Sequence, residues 1–434
     1  MNPSSLSRYE KLGLSFNPFP SPGAAQAIEA LRSADIDVRV LQDKTEVERE
    51  TSFFCEKIRK DEIGWLNDRF VYPLKGLAKK RAFNMWVVGS KGVGKSALLK
   101  HVERQLRTDE ALLTMLVKLP TKGLTDIYKM GLRWVGSAFF SKLAHICYRA
   151  FFSQLSEDIW SKIIADPTKS DLIKKILLET PEIIRLLTFA DVEQNIKILN
   201  EKGLDTTDAN VKTIKKEFSA WLETENQVNH RLAVILSEFL AEPVMQFKNL
   251  CNVSKSEMVD VLTCTVQLSS KFLGTRAAIV VVDEIEIPWN DLPTKAKESF
   301  TYEIRQIVEL SGGRIKIVMT WTMELAEELK TYKHLLDVMP FIPKVNVLDV
   351  QPLGLEQAMD LVATYLEKAR LPGKEGYINP FTQGAIEIIN SMSAGVPRTI
   401  LMENCWALVE HAADMNYDTI DEKVVYELKP EYKT

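Results

Sequence analysis

Apolar residues run along this chain in two rhythms. Short, predominantly apolar runs occur at residues 85–88, 113–119, 278–282, 315–319 and 345–350, several of them rich in valine and isoleucine. Runs of that length and composition predict strands, and their lack of an inside–outside alternation predicts a parallel sheet covered on both faces. Elsewhere the apolar positions repeat at i, i+3 and i+4, as in residues 134–155, 172–187 and 231–247, which predicts packed helices. Strand alternating with helix implies an α/β fold with a three-layer αβα core and a parallel five-stranded sheet. No strand signal falls between the second and third runs. A parallel crossover needs only about a dozen residues, so most of that stretch, residues 126–272, reads as a large helical insertion.

The remaining divisions follow from punctuation. Residues 1–71 form an N-terminal arm and a charged helical lead-in. The arm contains Asn17-Pro18-Phe19-Pro20-Ser21-Pro22-Gly23, whose prolines remove donors and favour an extended path. Residues 72–125 and 273–350 are the two halves of the core. After Pro352 the pattern is helical again to about residue 413, so residues 351–434 form a third, helical unit.

Composition narrows the class. With 434 residues, 46% hydrophobic and 26% charged, the chain has material for two to four domains, and wholesale disorder is excluded. A net charge of −4 argues against a protein coated for tight nucleic-acid binding. Lys79-Lys80-Arg81 with Lys100, Arg104 and Arg107 form the one local basic concentration, and the insertion is nearly balanced in charge. The five cysteines are scattered and never form a C-x-x-C pair, a usage that suits a reducing compartment. No leader and no apolar run long enough to span a bilayer is apparent, so the expected location is cytoplasmic.

The strongest chemical signal follows the first strand. Gly89-Ser90-Lys91-Gly92-Val93-Gly94-Lys95-Ser96 satisfies G-x-x-x-x-G-K-[ST], and a helix begins at Ala97. Strand, glycine-rich turn and helix start in that order present backbone N–H groups to phosphate oxygens. Lys95 would neutralise the β- and γ-phosphates of ATP, and the Ser96 hydroxyl would coordinate Mg²⁺. Asp283-Glu284 ends the most apolar strand. Asp283 there can hold Mg²⁺ through water, and Glu284 can polarise an attacking water. The fourth strand ends Met319-Thr320-Trp321-Thr322, where a threonine hydroxyl could sense the γ-phosphate. The sequence does not separate Thr320 from Thr322.

With these elements placed, the chain resembles an AAA+ ATPase. It is most similar to the branch holding origin initiators, transposition-regulator ATPases and ExeA-like secretion ATPases. Tyr9-Glu10-Lys11-Leu12-Gly13-Leu14 with Asn17-Pro18-Phe19 is similar to the opening of the secretion and transposition types. Thr320-Trp321-Thr322-Met323-Glu324-Leu325 looks like their sensor-1 turn, and Gly395-Val396-Pro397-Arg398 resembles their sensor-2 motif. The resemblance implies that residues 351–434 are a lid, that Arg398 meets the γ-phosphate, and that Asn17, Pro18 and Phe19 pack near the adenine. A simple arm packed on the core is the competing reading of those three residues.

Two departures matter. The family completes its site with an arginine from a neighbouring subunit, but residues 323–344 offer Lys330, Lys333 and Lys344 and no arginine; Arg305 and Arg314 precede the sensor strand. Turnover is therefore expected to be slow or partner-stimulated. The resemblance also does not extend to the winged helix of origin initiators. The leading expectation is an ATP-dependent switch, oligomeric or in a hetero-complex, that assembles on or regulates a DNA-linked complex such as transposition machinery. A protein partner would bind the insertion. The alternative is an ATPase subunit of a signalling or defence complex without DNA contact. Secretion ranks last, for want of a membrane segment.

Overall fold

The computed structural model describes residues 8–21, 57–77, 84–118, 124–154, 208–285, 293–322, 346–374 and 376–432. Five parallel strands form one sheet: β1 (Met85–Gly89), β2 (Leu112–Lys118), β3 (Ala277–Asp283), β4 (Ile315–Thr322) and β5 (Val347–Asp349). Their spatial order is β2-β3-β4-β1-β5. Thus β4 lies between the strand that leads into the glycine-rich turn and the strand that ends in Asp283. In register, Gly89 of β1 faces Thr322 of β4, and Val282 of β3 faces Met319.

The helices, in chain order, are α1 (Lys60–Leu66), α2 (Lys95–Arg107), α3 (Leu124–Val135), α4 (Ser137–Ser153), α5 (Asp208–Asn226), α6 (His230–Phe239), α7 (Pro243–Cys251), α8 (Lys255–Phe272) and α9 (Thr294–Leu310). The C-terminal unit adds α10 (Leu355–Leu366), α11 (Gln383–Met392), α12 (Trp406–Asp414) and α13 (Glu422–Leu428). Residues 231–247 divide between α6 and α7 because Pro243 takes the first turn of α7, where its missing N–H costs nothing. Asn229, Thr382 and Asp421 cap α6, α11 and α13 by accepting first-turn N–H groups. The α13 helix lies beyond the helical stretch read from the sequence. No described helix is long and apolar enough to cross a membrane.

Period-2 alternation splits the buried strand residues between two cores. Trp86, Val88, Val280, Val282, Ile317, Met319 and Trp321 face one side, where they join α3, α4, α6, α8 and α9 in one cluster. Met85, Val87, Ile279, Val281 and Val318 face the other, with α1, α2 and the C-terminal unit. The helices between β2 and β3 therefore close the first face of the sheet and share its core. Tyr148 stacks on Phe218 with ring centroids 3.7 Å apart, and its buried hydroxyl donates to the Ser237 carbonyl. Residues 172–187 lie outside the described residues.

The N-terminal arm crosses to the far end of the chain. Ser15 N–H donates to the Ala369 carbonyl at 2.7 Å, and Leu371 N–H donates to that of Gly13 at 2.9 Å. Arg8 pairs with Glu410, and the Tyr9 hydroxyl donates to the same carboxylate at 2.7 Å.

Candidate nucleotide site

The glycine-rich turn leaves β1 at Gly89 and enters α2 at Lys95. Gly89 sits at φ +150°, and a Cβ there would come within 2.6 Å of the Val350 carbonyl oxygen. Gly92 sits at φ +81°, where a Cβ would fall 2.8 Å from Val396 Cγ1 and 3.2 Å from Arg398 Cβ. Glycine is required at both by conformation and by space. The turn is thus gripped by the segment after β5 on one side and by the Gly395–Arg398 turn on the other.

Lys95 is buried, and its Nζ donates to the carbonyls of Gly89 at 3.0 Å and Ser90 at 2.9 Å. An ammonium folded onto its own loop leaves its charge inside the cradle that the loop draws. Asp283, also buried, accepts from Ser96 Oγ at 3.1 Å and from Thr320 Oγ1 at 2.8 Å, both on Oδ1. Thr320 Oγ1 in turn accepts the Glu284 N–H at 2.8 Å. Glu284 is half-buried and sits at φ +59°, a left-handed conformation that costs a non-glycine residue about 1–3 kcal/mol unless its surroundings impose it. Here the Thr320 hydroxyl holds the amide that the strained residue presents.

Strand alternation explains the convergence. Thr320 shares with Val318 the side of β4 that faces α2, while Met319 and Trp321 point into the opposite core. The β3–β4 register sets Thr320 beside Asp283, whereas Thr322 stands beside Gly89 at the C-terminal end of its strand and is half-buried. The two threonines that the sequence left equivalent therefore occupy different places. Thr320 organises Asp283 and Glu284, and Thr322 lies next to the loop.

Ser90, Lys91, Gly92, Val93, Gly94, Ser96 and Ala97 all lie in the turn or the first turn of α2, with Lys91 exposed. Arg398 is exposed just before a π-wound stretch, Thr399–Cys405, that continues into α12. Asn404 braces that stretch by donating to Ser393 Oγ at 2.9 Å and to the Thr399 carbonyl at 3.3 Å. Asn17, Pro18 and Phe19 sit on the C-terminal unit. Asn17 Nδ2 donates to the Trp406 carbonyl and to Glu410, and Phe19 is buried between Tyr365 and Phe381. None of these contacts joins the three residues to the turn. Arg305 pairs with Glu309 on the outer side of α9. Arg314 immediately precedes β4, at the end of the strand away from the turn. Lys330, Lys333, Lys344 and the 79–81 basic run lie outside the described residues.

One site residue carries no sequence signal. Arg59 reads as part of a charged helical lead-in, yet it is 1% exposed. Its Nη2 donates to the carbonyl of Val93 in the turn at 2.7 Å, and Nη1 donates to Gln351 at 2.8 Å and Glu62 at 2.7 Å.

The donor set suits a nucleotide and its metal. A buried ammonium, a glycine cradle at a helix start, and a hydroxyl–carboxylate pair 3.1 Å apart are the groups that bind polyphosphate and a hard divalent cation.

No family model matches the chain, and no curated protein matches it. Among solved structures it is similar to the Orc1 protein of Aeropyrum pernix, determined in complex with DNA. The identity is 14%, the TM-score is 0.40, and the match covers 86% of this chain and 65% of that one.

Proposed function

We propose that this chain is an ATP hydrolase of the AAA+ type that works as an ATP-dependent switch. The observation that carries the reading is the linked set Ser96–Asp283–Thr320–Glu284 beside Lys95, closed over by the Gly395–Arg398 turn. In this reading Lys95 exchanges its two loop carbonyls for phosphate oxygens when ATP enters. Mg²⁺, held by Ser96 and through water by Asp283, would neutralise charge on the β- and γ-phosphates. Glu284 orients a water whose oxygen attacks the γ-phosphorus as the bond to the β–γ bridging oxygen breaks; the released proton passes to the Glu284 carboxylate.

Residues 351–434 then act as a lid, with Arg398 supplying a permanent charge to the γ-phosphate. Closure favours one assembly and hydrolysis releases it, which is the behaviour of a two-state element biased by a bound phosphate. The likeness of the motifs to initiator and transposition-regulator ATPases suggests a DNA-linked complex as the assembly acted upon. A complex without DNA contact is the second reading, favoured by the near-neutral charge of residues 126–272.

The test is ATP binding and phosphate release, with and without duplex DNA at low salt. Lys95→Ala is expected to abolish ATP binding. Glu284→Gln is expected to bind ATP within about threefold of wild type and to lose on the order of 100-fold in turnover, the scale of general-base catalysis. Wild-type phosphate release from Glu284→Gln would remove Glu284 from that role, and unchanged ATP affinity in Lys95→Ala would end the reading. Salt-sensitive stimulation by DNA favours the first assembly, and a flat response the second.

A further inference from the structure

A fully buried arginine is costly unless its charge and its donors are met. For Arg59, the Glu62 carboxylate at 2.7 Å meets the charge, Nε has no hydrogen-bond partner among the described residues, and Nη1 and Nη2 reach backbone carbonyls from two distant parts of the chain. Its Nη2 holds the Val93 carbonyl at 2.7 Å, inside the glycine-rich turn. A peptide group is planar, with its C=O and N–H pointing in opposite directions. Fixing the Val93 carbonyl outward therefore turns the Gly94 N–H toward the interior of the loop, where a phosphate oxygen would sit. Its Nη1 holds the carbonyl of Gln351, two residues after β5 ends at Asp349.

Neighbouring contacts stiffen the same crossing. Gln357 in the first turn of α10 donates to the Ile58 carbonyl at 3.1 Å, and Lys57 approaches Asp360 of that helix at 3.9 Å. Val350 presses its carbonyl on Gly89, and Leu353 N–H donates to the Gly395 carbonyl at 2.8 Å. Residues 57–59 thus form a strap across the boundary between sheet and C-terminal helices, with the guanidinium bridging its two sides.

We propose that Arg59 is a positioning residue that couples the glycine-rich turn to the angle of the C-terminal unit. Filling the loop fixes the Val93–Gly94 peptide; the planar guanidinium carries that constraint to Gln351 and so to the base of α10. This rests on the nucleotide reading of the turn. The planar fork holds the two carbonyls at a fixed spacing, each on its own nitrogen. A lysine ammonium is a point donor on a flexible stem and cannot hold that spacing rigidly.

The experiment is amide hydrogen exchange on the full chain, with and without a non-hydrolysable ATP analogue, for wild type and Arg59→Lys. In wild type the analogue is expected to slow exchange both at 89–98 and at 353–366, the latter by about tenfold, within the range of ordinary site-to-site coupling. In Arg59→Lys the slowing at 89–98 should persist while that at 353–366 falls below about threefold. Equal responses in both segments of the variant overturn the coupling, as does loss of both in a variant whose thermal unfolding is still cooperative. A wild-type response at 89–98 without one at 353–366 overturns it too, and leaves the nucleotide reading standing. No wild-type response in either segment defeats the nucleotide reading itself. If lysine is not tolerated, Arg59→Gln, which buries no charge and reaches one carbonyl, is scored by the same outcomes.

Discussion

Thr320→Val isolates one hydroxyl while keeping the shape of a side chain that is completely buried. That hydroxyl donates to Asp283 and accepts from the Glu284 N–H, each at 2.8 Å. Losing the bond to a carboxylate costs about 1.5–3 kcal/mol, and stranding the Glu284 N–H costs about 1–3 kcal/mol more. Glu284 can avoid the second penalty by leaving its left-handed conformation, which returns about 1–3 kcal/mol of backbone strain. The last two terms cancel, so the expected loss of stability is about 1.5–3 kcal/mol. Asp283 keeps the Ser96 hydroxyl, so the metal-facing role proposed for it survives. The kinetic consequence is larger, because a relaxed Glu284 no longer aims its carboxylate. Turnover should fall on the order of 100-fold. Affinity for an ATP analogue should stay within about threefold, since the binding is proposed to rest on Lys95 and the loop amides. Thr320→Ser, which keeps the hydroxyl, should retain most of the activity. Initial phosphate-release rates, analogue titration and urea unfolding read the three quantities separately. Turnover of Thr320→Val within about threefold of wild type would refute the assignment of Glu284 positioning to this hydroxyl.

Two further perturbations test the packing around the site. Glu103 on α2 is buried against Trp134 of α3, and desolvation raises its carboxyl above the usual range, with Arg107 opposing. A raised carboxyl favours the folded state fully below its unfolded value and loses that contribution as pH rises through the folded value. Glu103→Gln should therefore leave stability unchanged in acid and increase it near neutral pH, as read from melting temperature against pH; a neutral-pH decrease would contradict the desolvation account. Deleting residues 130–265 removes the cover of Trp86, Val88, Val280, Val282, Met319 and Trp321. At about 1.5–3 kcal/mol for each of these six buried side chains, the loss is as large as the whole stability of an ordinary domain, about 5–15 kcal/mol, so the truncated chain should not fold. A soluble, cooperatively melting fragment that binds ATP would show those helices to be dispensable.

Much of this is legible in the sequence. The strands are, because buried parallel strands are continuous apolar runs, and so is the turn, whose chemistry lies in eight consecutive residues. Asp283-Glu284 could be placed because strand and carboxylates are adjacent in sequence. The choice between Thr320 and Thr322 was not legible, since both fall on one side of β4 and only the register with β3 and β1 separates them. Arg59 was hidden for a different reason. Its nearby partner Glu62 reads as an ordinary helical i,i+3 pair, and its two distant partners are backbone carbonyls, which have no sequence identity. The arm could not be assigned to core or C-terminal unit, because its anchors Trp406 and Glu410 are ordinary helix residues until the fold brings them together. The helices between β2 and β3 announced themselves as helices, but periodicity does not tell whether an apolar stripe meets another helix or a sheet.

The two-sided sheet also constrains how a nucleotide could be felt elsewhere in the molecule. Asp283 and Thr320 continue the strand faces of Val281 and Val318, on the side covered by α1, α2 and the C-terminal unit, whereas the helices between β2 and β3 cover the other side. The two sides meet within single strands: Thr320 belongs to the site, and the next residue, Trp321, is buried opposite, edge-on to Trp86 with centroids 6.2 Å apart. Close-packed interiors transmit displacement but deform little. A change at the site therefore reaches the C-terminal unit more readily, through exposed turns and the Arg59 bridge, than it crosses two tryptophans locked in the opposite core. Under the proposed lid role, that asymmetry favours movement of residues 351–434 against a fixed helical face.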